Sequence, residues 1–168
     1  QPLVIVNVPG AGSTIAGRQV VEAKADGYTL IHWHHQMLIA TAMGTFEFGP
    51  DNFESIGFAG GGSPVWVVHE DSPYKTWADL HSQLQAKPKS LVEVIGIGSI
   101  PHFVGALLSK AANFETRKLA ASSGAERSKA LLGKHADISL FSAAEYTKWQ
   151  GGGMRALVFF GPNRVEKI

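Results

Sequence analysis

The sequence predicts an α/β fold built on mainly parallel sheets. Short apolar runs rich in Val, Ile and Leu alternate with longer amphipathic stretches, and Gly, Pro, Ser or Asp stands at most junctions between them. The apolar runs are near-continuous rather than alternating, which is the pattern of strands covered on both faces.

Taken in order, residues 3–8 read as a strand, followed by the turn Pro9-Gly10-Ala11-Gly12-Ser13 and a helix over 14–25. Residues 28–33 form a second strand behind the turn Ala25-Asp26-Gly27, and 36–43 a short helix. Strands over 53–59 and 64–69 flank Gly60-Gly61-Gly62. Thr76 is placed as the N-cap of a helix that runs to residue 86 and is stopped by Lys87-Pro88. The alternation then repeats: strand 92–97, helix 101–112, strand 116–120, helix 123–132, strand 136–141, helix 142–149 and strand 154–160. No internal repeat or heptad pattern interrupts it.

The 168 residues are 45% hydrophobic, enough for one or two modest cores. With 15 Lys plus Arg against 14 Asp plus Glu, the formal charge is +1, so nothing attracts nucleic acid or an anionic membrane in general. An anion bound by this chain must be held locally. The absence of cysteine excludes disulfides, zinc-thiolate sites and cysteine nucleophiles. No apolar run approaches the ~20 residues of a membrane span. No signal-peptide pattern is visible; Leu3, Val4, Ile5 and Val6 read as a strand already in progress, as in a piece of a larger protein.

In an open parallel sheet, ligands bind beyond the carboxyl ends of the strands, where loops enter helix N-termini. Four such loops are rich in small or hydroxyl residues: Gly10, Ala11, Gly12, Ser13 and Thr14; Gly96 through Gly98, Ser99 and His102; Ser122, Ser123, Gly124 and Ala125; and Ser142. Free backbone N–H groups and the helix dipole favour an anion by ~0.3–1 kcal/mol per terminus, so several termini can hold a carboxylate without Arg or Lys. Each loop alone is equally an ordinary turn and cap; the functional reading rests on their combination.

Other constellations are weaker. Gly96-x-Gly98 lacks the third glycine of a dinucleotide fingerprint, and no Gly-rich loop is followed by Lys-Ser or Lys-Thr, so no nucleotide cofactor is expected. His32 and His34 share a face if their segment is a strand, which would suit a metal, but no third ligand follows at a recognisable spacing. Ser99 and His102 suggest a nucleophile and base without any nucleophile elbow. Glu54, Glu126 and Glu145 read as solvated surface charges.

Six segments, in order, resemble one family: Asn7-Val8-Pro9-Gly10-Ala11-Gly12; Ala25-Asp26-Gly27-Tyr28-Thr29-Leu30; the run from Asp71 to Leu80; Gly98-Ser99-Ile100-Pro101-His102-Phe103; the run from Ala130 to Asp137; and Met154-Arg155-Ala156-Leu157-Val158 with Arg164. The chain resembles the tripartite tricarboxylate transporter receptors, or Bug family, which are periplasmic solute-binding proteins. The resemblance implies a type II periplasmic-binding fold: two α/β lobes closing on a small organic carboxylate, which is then presented to membrane transporter subunits. On that basis the first lobe covers residues 1–62 in part, the second lobe 63–158, and 159–168 return toward the first. The family's opening strand, early Gly-Gly and Asp-containing loop, and C-terminal segment have no counterpart, so the resemblance implies a chain truncated at both ends. It also implies a periplasmic, monomeric binding protein rather than an enzyme. His32-Trp33-His34-His35-Gln36 stands where the family carries small residues, which marks His34 and His35 as specificity residues. Asn113 and Lys134 stand where glycine is usual; Asn113 suits a left-handed cap, and Lys134 reads as a surface change. An enzyme on the same fold, using His32, His34 and His35 or Ser99 with His102, and a truncated relative that binds nothing are the alternative readings.

Overall fold

A computed structural model describes residues 2–8, 10–121, 123–149 and 151–161. The chain falls into two compact units. One comprises Gln1–Phe58 with Gly98–Ile100, the other Ala59–Ile97 with Pro101–Ile168.

In the smaller unit, α1 (Thr14–Val21) and α2 (His35–Ala42) pack together. Met37, Ala40 and Phe46 are buried, with Ile31, Trp33, Phe48 and Phe53 against them. Trp33 and Phe53 lie with ring centroids 5.1 Å apart. The helices approach closely because Gly17 carries no side chain: a Cβ there would lie 2.6 Å from Phe46 Cζ and 2.7 Å from Met37 Cε. Helix α2 ends in a left-handed Gly44 (φ 70°), with Gly44 N–H on the Thr41 carbonyl and Thr45 N–H on the Ala40 carbonyl, a Schellman closure.

The strands expected at 3–8, 28–33 and 53–59 are not formed among the described residues. These segments are irregular, and their apolar side chains stand largely in solvent: Leu3 is 85% exposed, Ile5 88% and Phe58 87%. A β-branched run states a preference, but a strand exists only when a neighbour takes its N–H and C=O groups. No such neighbour lies beside these runs among the described residues. The helix expected over 14–25 likewise stops at Val21.

The larger unit follows the expected order: β1 (Pro64–His69), α3 (Trp77–Ala86), β2 (Val92–Ile95), α4 (Ile100–Ala111, whose first residue belongs with the smaller unit), β3 (Arg117–Ala120), α5 (Gly124–Leu132), β4 (Ile138–Ser142), α6 (Ala143–Thr147) and β5 (Met154–Phe159). The sheet order is β3-β2-β4-β1-β5. Strand β2 runs parallel to β3 and β4, while β1 runs antiparallel to β4 and β5. Four strands therefore share one direction and β1 alone is reversed, which makes the sheet mainly parallel. Successive side chains point to opposite faces, so Trp66 and Val68 enter one core with Leu80, Leu84, Phe114, Ile138 and Leu140. Val65 and Val67 enter the other with Leu131, Phe141, Tyr146 and Met154. Each fully buried aliphatic or aromatic side chain contributes ~1.5–3 kcal/mol.

Strand β3 is the exposed edge, and its Arg117 and Lys118 discourage pairing with another chain. One charge lies inside: Glu93 on β2 is fully buried, accepting from Thr116 Oγ1 (2.8 Å) and from Lys118 Nζ. Helix α4 passes over it at Gly105, where a Cβ would come within 2.4 Å of Glu93 Oε1.

Caps set the helix ends. Thr76 Oγ1 accepts from Asp79 N–H (3.2 Å), and Asp79 Oδ2 accepts from Thr76 N–H (2.8 Å), a reciprocal capping box. These hydrogen bonds hold the Asp79 carboxyl below its usual range. Asn113 (φ 50°) takes the left-handed cap of α4, as expected. Lys134 is more than a surface change: it too is left-handed (φ 58°), closing α5 with His135 N–H on the Ala130 carbonyl, and its Nζ lies 2.9 Å from Asp71 Oδ2. Among the described residues no helix is long and apolar enough to cross a membrane.

Replacing Thr76 by Ala removes one half of the capping box and is expected to lower stability by ~1 kcal/mol in urea unfolding. Gly17→Ala drives a methyl into Phe46 and is expected to lower stability by ~1–3 kcal/mol; an unchanged midpoint would show that α1 and α2 can part at no cost.

Candidate ligand-binding site

The expected site residues fall into two groups, one in each unit. In the smaller unit, Gly10, Ala11, Gly12 and Ser13 all have positive φ (123°, 43°, 65° and 74°). For Ala11 and Ser13 this is a strained conformation, of order 1–3 kcal/mol each. Ser13 N–H donates to the Gly10 carbonyl (2.9 Å), and buried Thr14 donates its hydroxyl to the Ala11 carbonyl (2.9 Å). Ser13 is the N-cap of α1, yet its side chain makes no capping hydrogen bond.

Gln36, which the sequence reading did not place among the binding residues, joins two of the expected loops. Its Nε2 donates to the Gly98 carbonyl (2.8 Å) and lies 3.4 Å from where a Cβ on Gly12 would be. A Cβ at that distance is in ordinary contact, so what calls for glycine at Gly12 is its left-handed φ of 65°. Gly98 is left-handed as well (φ 75°), and Ser99 follows it into α4.

His34 and His35 lie at the start of α2, both exposed. His34 is the N-cap: its Nδ1 accepts from Gln36 N–H at 3.0 Å. Accepting at Nδ1 requires the neutral ring. Partial burial, then the proximity of His35 and His32, push its pKa below the ordinary imidazole value. His32 and His34 do not share a strand face, because residues 28–34 form no strand. Among the described residues no group of three His, Asp or Glu side chains could hold a metal ion.

In the larger unit, His102 lies in the first turn of α4 with its ring 5.4 Å from that of Phe103. Ser122 and the closing Arg164 lie outside the described residues. Ser123 caps α5, its Oγ accepting from Glu126 N–H (3.2 Å), and Gly124 and Ala125 supply the first helical amides. Ser142 caps α6, but its hydroxyl is occupied in both directions. It accepts from Glu145 N–H (3.2 Å) and donates to Glu145 Oε2 (3.0 Å). The Ser142 hydroxyl thus has no proton left to donate outward.

Glu145 is not the solvated charge the sequence suggested. Its Oε2 also accepts from Ser142 N–H (2.9 Å), and its Oε1 lies 2.5 Å from the Cβ position of Gly124 and 3.9 Å from Arg127 Nη2. The signal for it was present: Ser142-Ala143-Ala144-Glu145 has the Ser-x-x-Glu spacing of a capping box. Arg127 carried no such signal.

This sheet, with four strands in one direction, one reversed, and helix N-termini following the parallel strands, is that of the periplasmic binding proteins. A structure described as a periplasmic transporter superposes with a TM-score of 0.88 at 20% identity, over 99% of this chain and 57% of the other. Rpa4515 of R. palustris with adipate gives 0.86 at 22% identity, over 96% and 56%. MatC of Rhodopseudomonas palustris with bound malate gives 0.78 at 21%, over 92% and 54%. The chain thus spans just over half the length of these proteins. The family model for the tripartite tricarboxylate transporter family receptor matches residues 1–168, and the chain belongs to that family. No curated protein sequence matches it.

The His34 cap sets a pH dependence. Its folded pKa lies below the unfolded one, so its stabilisation is fully present above about pH 6.5 and is lost as pH falls through the lowered folded value. The protection factors of amides within His35–Ala42, taken relative to the intrinsic exchange rate at each pH, are expected to fall on acidification in this window. His34→Ser, a cap that does not titrate, is expected to flatten that response; the same steepness in the variant would remove His34 as its source.

Proposed function

We propose that this chain is part of an extracytoplasmic receptor that captures a small organic carboxylate and hands it to a tripartite tricarboxylate-type membrane transporter. Family membership over the full sequence carries the reading. Two relatives of the same fold were solved with adipate and with malate, which supports a carboxylate as the class of ligand, and the structure described as a periplasmic transporter supports the periplasm as the compartment. The chemistry of the loops agrees with it. A near-neutral chain gathers helix N-termini, left-handed turns and hydroxyls, which are the groups that hold an anion through oriented amides. The residues proposed to bind are, in the smaller unit by itself, Gly10, Ala11, Gly12, Ser13, Thr14, His34, His35, Gly98 and Ser99. In the larger unit they are His102, Ser122, Ser123, Gly124, Ala125 and Ser142. The role is capture and release, with no bond made or broken.

A thermal-shift series with dicarboxylates, tricarboxylates and their neutral amides tests this. A ligand at ~100 times its Kd stabilises the native state by ~2.7 kcal/mol, so one carboxylate class is expected to raise the melting temperature while its amide does not. Ser99→Trp is expected to abolish the rise in a protein that still unfolds cooperatively. An equal rise with carboxylate and amide would overturn the reading.

A further inference from the structure

Arg127, the fourth residue of α5, is only 8% exposed. Long side chains on a helix lean toward its N-terminus, and Arg127 does so: its Nη2 lies 3.6 Å from the Cβ position of Gly124, the first residue of the helix. The guanidinium carbon sits 5.4 Å from the centre of the Phe141 ring, at the carboxyl end of β4. Its Nε is enclosed and has no hydrogen-bond partner among the described residues. The nearest carboxylate oxygen, Glu145 Oε1, is 3.9 Å away, beyond hydrogen-bonding distance, and the other oxygen of that carboxylate is held by Ser142.

This arrangement is electrostatically incomplete. A helix N-terminus is a positive end that disfavours a cation beside it, yet here a cation stripped of much of its water lies against one. Burial pulls the Arg127 pKa downward, the direction of a guanidinium short of counter-charge. Only Glu145 opposes it, and that carboxylate is partly exposed and shared with the cap of α6. Gly124 makes room for the Glu145 carboxylate, since a Cβ there would collide with its Oε1 at 2.5 Å. Two positive groups, the guanidinium and the helix N-terminus, thus face this one carboxylate, which hydrogen-bonds to neither Nη2 nor Nε of Arg127.

We propose that Arg127 and the first turn of α5 form the subsite that fixes a carboxylate group of the ligand, with Glu145 as the resident carboxylate that competes for the guanidinium. Resting on the carboxylate-receptor reading above, this makes Arg127 the determinant that separates an acid from its amide. The backbone amides of Gly124 and Ala125 fix direction, and the guanidinium supplies charge through planar, paired donors.

Two measurements on the full chain test it. Melting temperature is followed with increasing formate at constant ionic strength for the wild type, Arg127→Gln, Arg127→Lys and Glu145→Gln. Formate is expected to raise the wild-type value saturably, to raise it more in Glu145→Gln, and to leave Arg127→Gln unmoved. Titration with adipate and with malate is expected to weaken about tenfold or more in Arg127→Gln, and less in Arg127→Lys. A purely structural arginine would instead shift the unliganded melting temperature and leave the formate response intact. No formate response in the wild type, or an equal one in Arg127→Gln, overturns the subsite. Unchanged adipate or malate affinity in Arg127→Gln overturns it while leaving the receptor reading standing. A formate response that depends on Arg127, in a protein that binds no dicarboxylate, leaves the subsite standing and overturns the receptor reading.

Discussion

The ladder formed by β1 with β4 on one side and β5 on the other is the interaction from which the rest of the larger unit hangs. Strand β1 runs against every other strand, and Val65, Trp66, Val67 and Val68 are wholly enclosed. Its odd residues anchor one core and its even residues the other, so the two hydrophobic layers are fastened to a single hexapeptide. Without it, β5 has no partner and β4 becomes an open edge. The ladder also reaches the binding loops. Pro64 pairs with Ser142, and Ala143 N–H bonds to the Ser63 carbonyl, so the loop that carries the Glu145 carboxylate is positioned by the first residues of β1.

Charge is used sparingly inside this framework, and each instance is set against a glycine. Glu93 lies beneath Gly105, and Glu145 beside Gly124, at separations no side chain would tolerate. In the first case the acid is answered locally by Thr116 and Lys118. In the second, the acid is tied to its own helix cap and only approaches Arg127.

How far the sequence could be read differs between the units for a physical reason. In the larger unit each β-branched run has its neighbours within the chain, so local preference and tertiary pairing agree, and every strand and helix appears in the expected order. Boundaries such as Val92–Ile95 and Thr14–Val21 fall short of the apolar pattern because hydrogen bonding, not hydropathy, ends an element. In the smaller unit Leu3, Val4, Ile5 and Val6 read as a strand with equal force, but preference alone forms no ladder. The site divides similarly. Glycines and hydroxyls at strand-to-helix junctions announce themselves locally: Thr76 caps the helix it was placed before, and Ser123, read as the first residue of its helix, is the cap of that helix. Gln36 and Arg127 matter through what they reach across the fold, Gly98 in one case and Phe141 in the other, and no spacing rule encodes such a meeting.

The reversed strand has a kinetic consequence. Val65 is paired with Phe159, and nearly the whole of the larger unit lies between them in sequence. Contacts of such long separation must be closed against chain entropy before they return any stability, and topologies rich in them fold slowly. Helices α3 to α5 can form early from local contacts, but the hexapeptide that joins both cores must wait, apolar and unpaired, for the last strand to arrive. The element that contributes most to the finished unit is thereby the one most exposed to misassociation while the unit is being made.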